Sequence, residues 1–366
     1  MIPEAEAGAR LTIDLAAIAA NWRALARRAP GPECGAAVKA DAYGLGIAAA
    51  VPALRKAGCR TFFVAFPGEG AAVRAAAPDA VVYVLNGLVA GRGEAYAAHD
   101  LRPVLGSLEE IAEWSAFQHA TGWGGGAALH VDTGMTRLGL RLEEALAHAA
   151  ALPPFSLVMS HFACADQPAH PLNTRQIAAF RQVRAAFPGT PASLCNSSGL
   201  FLPDDLGFDL VRPGIALYGG NPTPGRPNPM APVVRLEARV IAVRTARAGE
   251  CVGYGATWTC RAPGRFAIVG VGYADGFLRA GSSADDRDGA LARVAGHPCR
   301  VAGRISMDLT AIDVGALPED AVRRGDWVEL IGDGLGIDEV GRRAGTIGYE
   351  VLTSLGRRYN KRVTGG

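Results

Sequence analysis

The sequence predicts an α/β fold: an N-terminal (β/α)8 barrel of the TIM type followed by a C-terminal domain that is mostly β. Two observations carry this prediction. Eight short apolar segments alternate with helical patterns as far as residue 212. Beyond a proline-rich stretch, β-branched segments bounded by turn residues replace them. We therefore expect a barrel over residues 9–230 and a β domain over residues 231–366, which can also include the first few N-terminal residues.

Length and composition indicate a globular protein. Of its 366 residues, 49% are hydrophobic and 20% are charged, which is enough apolar material for two domains. The net charge of +2 leaves no electrostatic footprint for nucleic acid. No apolar run is long enough to span a bilayer, and residues 1–10 lack the apolar core of a signal peptide. These features predict a cytoplasmic protein.

The cysteines give no sign of a disulfide framework or a metal site. Seven of them are scattered along the chain without a C-x-x-C pair, so neither disulfides nor zinc is expected. Most should be small core residues. Cys164 and Cys195 could line an active site by position, but nothing marks them as nucleophiles.

The barrel elements follow in order along the chain. Asp14 can cap a first helix, which Pro30 and Gly31 stop. We predict strands near residues 33–38, 61–66, 81–85, 101–105, 127–131, 155–161, 192–195 and 208–212. Helical patterns between them cover residues 47–57, 108–119, 142–151 and 173–186. In such a barrel, catalytic residues lie on the loops that follow the strands.

The C-terminal elements begin after a linker. Residues 221–232 contain five prolines and break all periodicity. We predict strands over residues 233–243, 266–273, 299–312 and 327–331. One helical pattern, over residues 337–355, follows near the end.

The residues from Val38 to Gly46, V-K-A-D-A-Y-G-L-G, join the first predicted strand to a helix. Burial at a strand end lowers the pKa of a lysine, and the neutral amine of Lys39 could then form a Schiff base with an aldehyde. Gly44 permits a tight turn, and Tyr43 offers a hydroxyl to a phosphate. A bare K-x-D would indicate an ordinary exposed lysine. The complete nonapeptide resembles the pyridoxal-phosphate lysine motif of the alanine racemases.

A second string, D-T-G-M-T-R-L-G, covers residues 132–139 after the fifth predicted strand. Arg137 has a donor fork suited to a carboxylate or a phenolic oxygen, although alone it would be an ordinary surface arginine. This string also resembles the racemases, where the matching arginine contacts the cofactor's ring hydroxyl and the substrate carboxylate. His130 departs from the family, which commonly has a carbamate-modified lysine there. We therefore expect activity without a carbon dioxide requirement, with any anionic partner of Arg137 coming from elsewhere.

The ends of the seventh and eighth predicted strands carry a phosphate-binding pattern. Hydroxyls and free backbone N–H groups at C-N-S-S (195–198) and R-P-G-I (212–215) can bind phosphate without a lysine, and barrels often bind phosphate there. The family places a histidine beside the pyridine ring, which M-S-H-F-A (159–163) matches. By resemblance, the cofactor contacts are Lys39, Tyr43, Leu85, Arg137, His161, Ser197, Arg212, Gly214, Ile215 and, from A-G-T-I-G-Y-E, Tyr349.

Arg212 has a specific chemical consequence if it faces the pyridine nitrogen, as its family counterpart does. A guanidinium group only donates hydrogen bonds, so that nitrogen stays unprotonated. The ring is then a weaker electron sink, which favours prompt reprotonation over transamination. A carboxylate at this place would do the opposite.

Racemisation needs two bases, one on each face of Cα. Lys39 is one. Tyr254, in V-G-Y-G-A-T-W, is a turn residue by default, but the string resembles the family's second base. An ordinary tyrosine titrates far above neutral pH, so it needs nearby positive charge, which Arg212 acting through His161 could supply.

The resemblance extends from about residue 9 to 363 and implies the fold, activity and partners of the family. It assigns Tyr273 to the entrance, and Met307 (through its backbone) with Arg137 to the substrate carboxylate. The implied activity is PLP-dependent interconversion of L- and D-alanine for peptidoglycan precursors, in a homodimer whose active sites are shared across the interface. Two alternatives stay open: a racemase of other or broader specificity (serine or lysine), and a non-catalytic PLP carrier, against which the β domain with Tyr254 argues.

Overall fold

The computed structural model describes residues 2–203 and 206–366, which form two compact units. The barrel unit comprises Ile18–Leu217 and Asn221–Met230. The β unit comprises the N-terminal residues through Ala17, Tyr218–Gly220 and Ala231–Gly366. The domain boundary between residues 230 and 231 stays a prediction.

The strands of the barrel unit are parallel and follow one another in chain order. They are Glu33–Cys34 with Ala36–Ala37, Thr61–Val64, Val81–Val84, Arg102–Leu105, Ala128–Asp132, Leu157–Met159, Ala192–Ser193 and Leu210–Val211. Leu210–Val211 pairs with Glu33–Cys34, and the Arg212 amide donates to the Cys195 carbonyl at 2.9 Å, so the sheet closes. The predicted barrel of eight strand positions is confirmed. Leu140–Arg141 adds a short pairing beside Ala128–Asp132.

Helices separate most of these strands, and capping side chains and glycines determine where several of the helices begin and end. The Asp14 carboxylate accepts the Ala17 N–H at 3.0 Å, as the sequence predicted for the first helix. The Ser107 hydroxyl caps another, which ends at Gly122 with φ 70°. The α-helices are Leu15–Arg28, Ile47–Ala57, Pro67–Ala76, Gly93–Ala97, Leu108–Thr121, Leu142–His148 and Pro171–Ala186, with a left-handed turn at Lys39–Tyr43 and 3-10 turns at Gly199–Phe201 and Ile215–Tyr218.

The barrel strands are buried almost continuously, as parallel strands covered on both faces are. Phe62, Phe63 and Val64 have no exposed surface, and neither have Leu129 and Val131. This rigid interior fixes the positions of the strand ends. The loops that follow the strands therefore start from defined points.

The β unit is built from eight strands: Ala9–Asp14, Val234–Ala246, Gly264–Val269, Leu291–Val294, His297–Arg300, Thr310–Asp313, Trp327–Ile331 and Asn360–Thr364. Ala9–Asp14, which the sequence analysis did not predict as a strand, runs antiparallel to Val234–Ala246 and parallel to Asn360–Thr364. Its residues alternate between buried and half-buried, as one face packs on the unit's core.

Two predicted elements of the β unit are each divided in the structure. The predicted strand over residues 299–312 is two strands, His297–Arg300 and Thr310–Asp313, joined by a loop. The predicted helix over residues 337–355 is two helices, Ile337–Arg343 and Gly348–Ser354. Gly345 has φ 71° between them, a conformation that ends a right-handed helix. Within residues 2–203 and 206–366, no helix is long and apolar enough to cross a membrane.

Candidate active site

Lys39 lies two residues after the first barrel strand, where the chain forms a turn of left-handed helix. Ala40, Asp41, Ala42 and Tyr43 have φ between 52° and 56°. This conformation costs roughly 1–2 kcal/mol for each residue other than glycine. The surrounding structure must therefore hold the turn in place.

Two carboxylates provide that support. Glu69, at the start of the helix Pro67–Ala76, accepts the Ala40 N–H at 2.6 Å through one oxygen and the Ala65 N–H at 2.7 Å through the other. The Asp41 side chain accepts the Ile47 N–H at 2.8 Å, at the first residue of the next helix. The backbone on which Lys39 stands is thus fixed from both sides.

The surroundings of Lys39 favour its neutral amine. Burial lowers the pKa of Lys39, the positive charge of Arg137 lowers it further, and Glu69 acts in the opposite direction. The lowered pKa that the sequence predicted is confirmed. A larger share of Lys39 is therefore available as a nucleophile or base near neutral pH than for an exposed lysine.

Arg212 is 5% exposed and holds the ends of two neighbouring strands. Its Nη1 donates to the Ser193 hydroxyl at 2.5 Å, and its Nη2 donates to the Ser160 carbonyl at 2.6 Å. The same Nη2 lies 3.3 Å from Nδ1 of His161. Because a guanidinium group only donates, Nδ1 is the acceptor and the imidazole proton is assigned to Nε2.

The two histidines of this cluster, His130 (buried) and His161 (half-buried), are both neutral at pH 7. Burial, followed by the positive charges of Arg212 and Arg137, lowers the pKa of His161 well below its ordinary value. The same causes lower the pKa of His130 to about 4. Arg212 itself stays positive, although burial lowers its pKa to about 10. The cluster thus combines a permanent cation with two neutral rings.

Gln176, from the helix Pro171–Ala186, joins the loops that carry these groups. Its Nε2 donates to the His161 carbonyl at 2.8 Å and to the Thr133 hydroxyl at 3.3 Å. Its Oε1 accepts the Ala163 N–H at 2.9 Å. None of the sequence motifs includes this residue. The signal in the sequence is a polar glutamine beside Ile177 on the apolar face of a helical pattern. In the structure this glutamine is fully buried.

The predicted phosphate contacts of the barrel unit meet at one place. The Ser197 hydroxyl oxygen accepts the N–H groups of Gly214 at 2.8 Å and of Ala216 at 3.3 Å, so its proton remains to be donated. A Cβ at Gly214 would collide with the Tyr43 hydroxyl, which therefore lies directly over this glycine. Ile215, buried, begins the following 3-10 turn. Hydroxyls and backbone N–H groups here fit a phosphate.

Arg137 and Leu85 also follow barrel strands. Asp132 shapes the loop before Arg137 by accepting the N–H groups of residues 134, 135 and 136 at 2.8, 2.8 and 3.0 Å. Arg137 itself is exposed. Leu85 is half-buried at the end of Val81–Val84, and its N–H donates to the Val64 carbonyl at 2.8 Å.

The other predicted site residues lie on the surface of the β unit. Tyr254 is 69% exposed, and glycines with φ of 78° and 72° flank it. Tyr273 and Met307 are 40% and 53% exposed, on two loops joined by a hydrogen bond of 3.0 Å from the Tyr273 N–H to the Ser306 carbonyl. Tyr349, 41% exposed, is the second residue of Gly348–Ser354. Large exposed side chains in such number are typical of a contact surface.

Together, the barrel-unit residues fit pyridoxal phosphate: an amine for its aldehyde, an arginine for its ring nitrogen, and hydroxyl and N–H groups for its phosphate. Metal binding has no comparable support. Among residues 2–203 and 206–366, no three His, Cys, Asp or Glu side chains are grouped to hold a metal ion.

Comparison with known proteins identifies the family. Residues 13–222 match the family model described as alanine racemase, N-terminal domain, and residues 233–363 match alanine racemase, C-terminal domain. The alanine racemase of Methylobacterium sp. (strain 4-46) is 58% identical over 355 residues, 96% of each chain. That of Rhizobium meliloti (strain 1021) is 49% identical over 371 residues, 98% of each chain.

Solved structures agree over the same length. The alanine racemase from Bartonella henselae with covalently bound pyridoxal phosphate has a TM-score of 0.91 and 39% identity, covering 98% of this chain and 100% of its own. The biosynthetic alanine racemase from Pseudomonas aeruginosa has a TM-score of 0.89 and 35% identity, covering 98% and 99%. The chain therefore belongs to the alanine racemase family.

Proposed function

We propose that this protein interconverts L-alanine and D-alanine with pyridoxal phosphate as cofactor, and so supplies D-alanine for peptidoglycan precursors. The observation that carries the proposal is the cluster at the barrel's strand ends. Lys39, whose pKa is lowered, follows the first barrel strand, and Arg212 contacts His161 at 3.3 Å after the sixth and eighth strands. The relatives of this chain that are named alanine racemases support alanine as the substrate.

The chain's own groups would hold the cofactor in three places. Ser197, Gly214, Ile215 and Tyr43 would bind its phosphate, Arg212 its ring nitrogen, and Lys39 its aldehyde carbon. When bound, pyridoxal phosphate withdraws electrons from the substrate and makes its Cα–H acidic. Because Arg212 only donates, it would leave the ring nitrogen of the bound cofactor unprotonated, which would favour return of the proton to Cα.

Two bases then move the proton. Lys39 takes or returns it on one face of Cα, and Tyr254 does so on the other. Arg137 and the backbone of Met307 would bind the substrate carboxylate, Tyr273 would line the entrance, and Leu85 and Tyr349 would complete the cofactor contacts. We also propose a homodimer in which each active site is shared across the interface. Tyr254 is 69% exposed in the single chain. This exposure supports the shared arrangement, because a catalytic base must be shielded from water and a partner subunit would shield it.

The proposal is tested by incubating the holoenzyme with L-alanine in deuterated water. We expect D-alanine with deuterium at Cα, and a Tyr254→Phe variant impaired more for proton removal from L- than from D-alanine. Chiral chromatography with mass spectrometry measures both. Exchange of deuterium without inversion would show that only one base works and that the role of Tyr254 is wrong.

The same assay addresses the two alternatives. Exchange with serine or lysine but not with alanine would keep the mechanism and change the substrate. A PLP carrier would show neither exchange nor inversion. The match of residues 233–363 to the family's C-terminal domain argues against a carrier built from the barrel alone.

A further inference from the structure

Arg358 connects two loops of the β unit. Its Nε and Nη2 donate to the two carboxylate oxygens of Asp275 at 2.8 and 3.0 Å. Its Nη1 donates to the carboxylate of Asp308 at 2.8 Å. Asp275 lies two residues after Tyr273, and Asp308 directly follows Met307. One guanidinium group therefore spans the loops of two proposed substrate-site residues.

The backbones of the two loops also join directly. The N–H of Tyr273 donates to the Ser306 carbonyl and that of Ala274 to the Met307 carbonyl, each at 3.0 Å. A Cβ at Gly272 would collide with the carbonyls of Ser306 and Met307, so this close approach requires glycine. Backbone hydrogen bonds thus join the two loops, and the Arg358 side chain adds a second link between them through Asp275 and Asp308.

Asp275 is the buried anchor of this arrangement. Asp275 is 4% exposed, and its carboxylate also accepts the Gly272 N–H at 3.0 Å. Its carbonyl accepts the Gly356 N–H at 2.9 Å and the Tyr359 hydroxyl. The segment on either side of Arg358 is therefore fixed to the same aspartate. A bidentate arginine–carboxylate pair holds geometry in a way that a lysine cannot.

We propose that Arg358 is a positioning residue for substrate binding, which holds the Tyr273 and Met307 loops so that the Met307 backbone meets the substrate carboxylate. The inference rests on the proposed function, because the roles of Tyr273 and Met307 do. None of the sequence motifs assigns a role to Arg358. Loss of the residue should weaken substrate binding more than the chemical step, since Arg358 touches no reacting atom.

The test compares Arg358→Gln and Arg358→Lys with Arg357→Gln in the holoenzyme. Arg357 is exposed and, within the described part of the chain, makes no side-chain hydrogen bond or ion pair, so its variant controls for the lost charge. For Arg358→Gln we expect KM for L-alanine to rise about tenfold while kcat changes less than about threefold. Arg358→Lys should lie between this variant and the wild type, and Arg357→Gln should leave both constants within about twofold.

Several outcomes would overturn the inference: an unchanged KM in Arg358→Gln, an equal change in Arg357→Gln, or a fall in kcat alone. If Arg358→Gln does not fold, Asp308→Asn provides the test instead. This variant weakens only the bond between Arg358 and the exposed Asp308, and it should raise KM by itself. Where both variants fold, their combined effect should be smaller than the sum of the two. Absence of racemisation in the wild type would instead refute the proposed function, which separates the two failures.

Discussion

His130 is the residue at which this chain departs from the pattern of its family. Its neutral imidazole, with a pKa lowered to about 4, stands where the resemblance predicts a carbamate-modified lysine. A neutral ring supplies no negative charge to the nearby Arg137. The positive charge of Arg137 instead contributes to the low pKa of Lys39.

Activity should consequently be independent of carbon dioxide. We expect the same rate in buffer freed of carbon dioxide and in buffer with added bicarbonate. In a His130→Lys variant, burial and the arginines should keep the new amine neutral and able to form a carbamate, so bicarbonate should stimulate that variant. Steady-state rates measure both. Stimulation of the wild type by bicarbonate would contradict the prediction.

Gln176 offers a second prediction for a single side chain. Gln176→Glu keeps the size of the residue but removes the N–H groups that serve the carbonyl of His161 and the hydroxyl of Thr133. Because the His161 carbonyl loses its donor and a carboxylate replaces a fully buried amide, we expect the free energy of unfolding to fall by about 2 kcal/mol. We also expect kcat/KM to fall about tenfold as the histidine shifts.

Urea unfolding and alanine kinetics measure the two effects. Gln118→Glu is the matched control, since Gln118 likewise donates from a helix to a loop carbonyl, that of Gly125, at 2.7 Å. It should lose some stability but keep its kinetic constants. Equal kinetic losses in both variants would show that Gln176 acts only on stability.

The predictability of the candidate site differs between its residues. Lys39, Arg212 and Ser197 stand in short strings whose chemistry is local, so the sequence was sufficient to propose them. Gln176 and Arg358 act through partners far away along the chain, Thr133 for one and Asp275 for the other. No local pattern encodes such pairs, because they depend on the barrel and sheet registers.

At the scale of elements, periodicity predicted the barrel strands and most helices, but not the hand of the turn after Lys39. The residues K-A-D-A-Y favour an ordinary right-handed helix by propensity. Their positive φ angles are imposed by tertiary bonds from Glu69 and Asp41 instead. Similarly, the glycine break at Gly345 divides a pattern whose period alone indicates one helix.

The left-handed turn predicts opposite effects of the same substitution at two positions. Ala40 is exposed with φ 53°, so Ala40→Gly should relieve strain and stabilise the protein by about 0.5–1 kcal/mol. Ala48 is exposed within the right-handed helix Ile47–Ala57, so Ala48→Gly should cost about 1 kcal/mol. Urea unfolding measures both. Destabilisation of similar size at both positions would show that the turn carries no relievable strain at Ala40.

At the scale of the whole molecule, the chain ends belong to one sheet. The strand Ala9–Asp14 lies between Val234–Ala246 and Asn360–Thr364. Leu11 and Ile13 are almost completely buried, and alternate with more exposed residues. That alternation is a valid strand signal, but its partners lie more than 200 residues away. Local patterns therefore indicate that such a strand exists without showing which sheet it joins.

The stability of the whole protein should fall as the pH decreases from about 6.5 toward 4. An unfolded histidine has a pKa near 6.5, whereas burial lowers the pKa of His130 in the folded protein to about 4. Within this range the unfolded state binds more protons, so the free energy of unfolding decreases with decreasing pH. For His130 alone the loss approaches about 3 kcal/mol at the lower end. His161, with its pKa also lowered, acts in the same direction.

Urea unfolding at pH 7.5, 6 and 5 in the wild type and in His130→Asn isolates this contribution. Asparagine does not titrate here, so the free energy of unfolding of the variant should depend less steeply on pH, whatever its absolute value. Carboxylates remote from residue 130 contribute equally to both proteins and cancel in the difference. His161 cancels only in part, because His130 contributes to lowering its pKa. Parallel pH dependences would mean that His130 is protonated as easily in the folded state as in the unfolded one. The neutral ring beside Arg137 would then no longer account for independence from carbon dioxide.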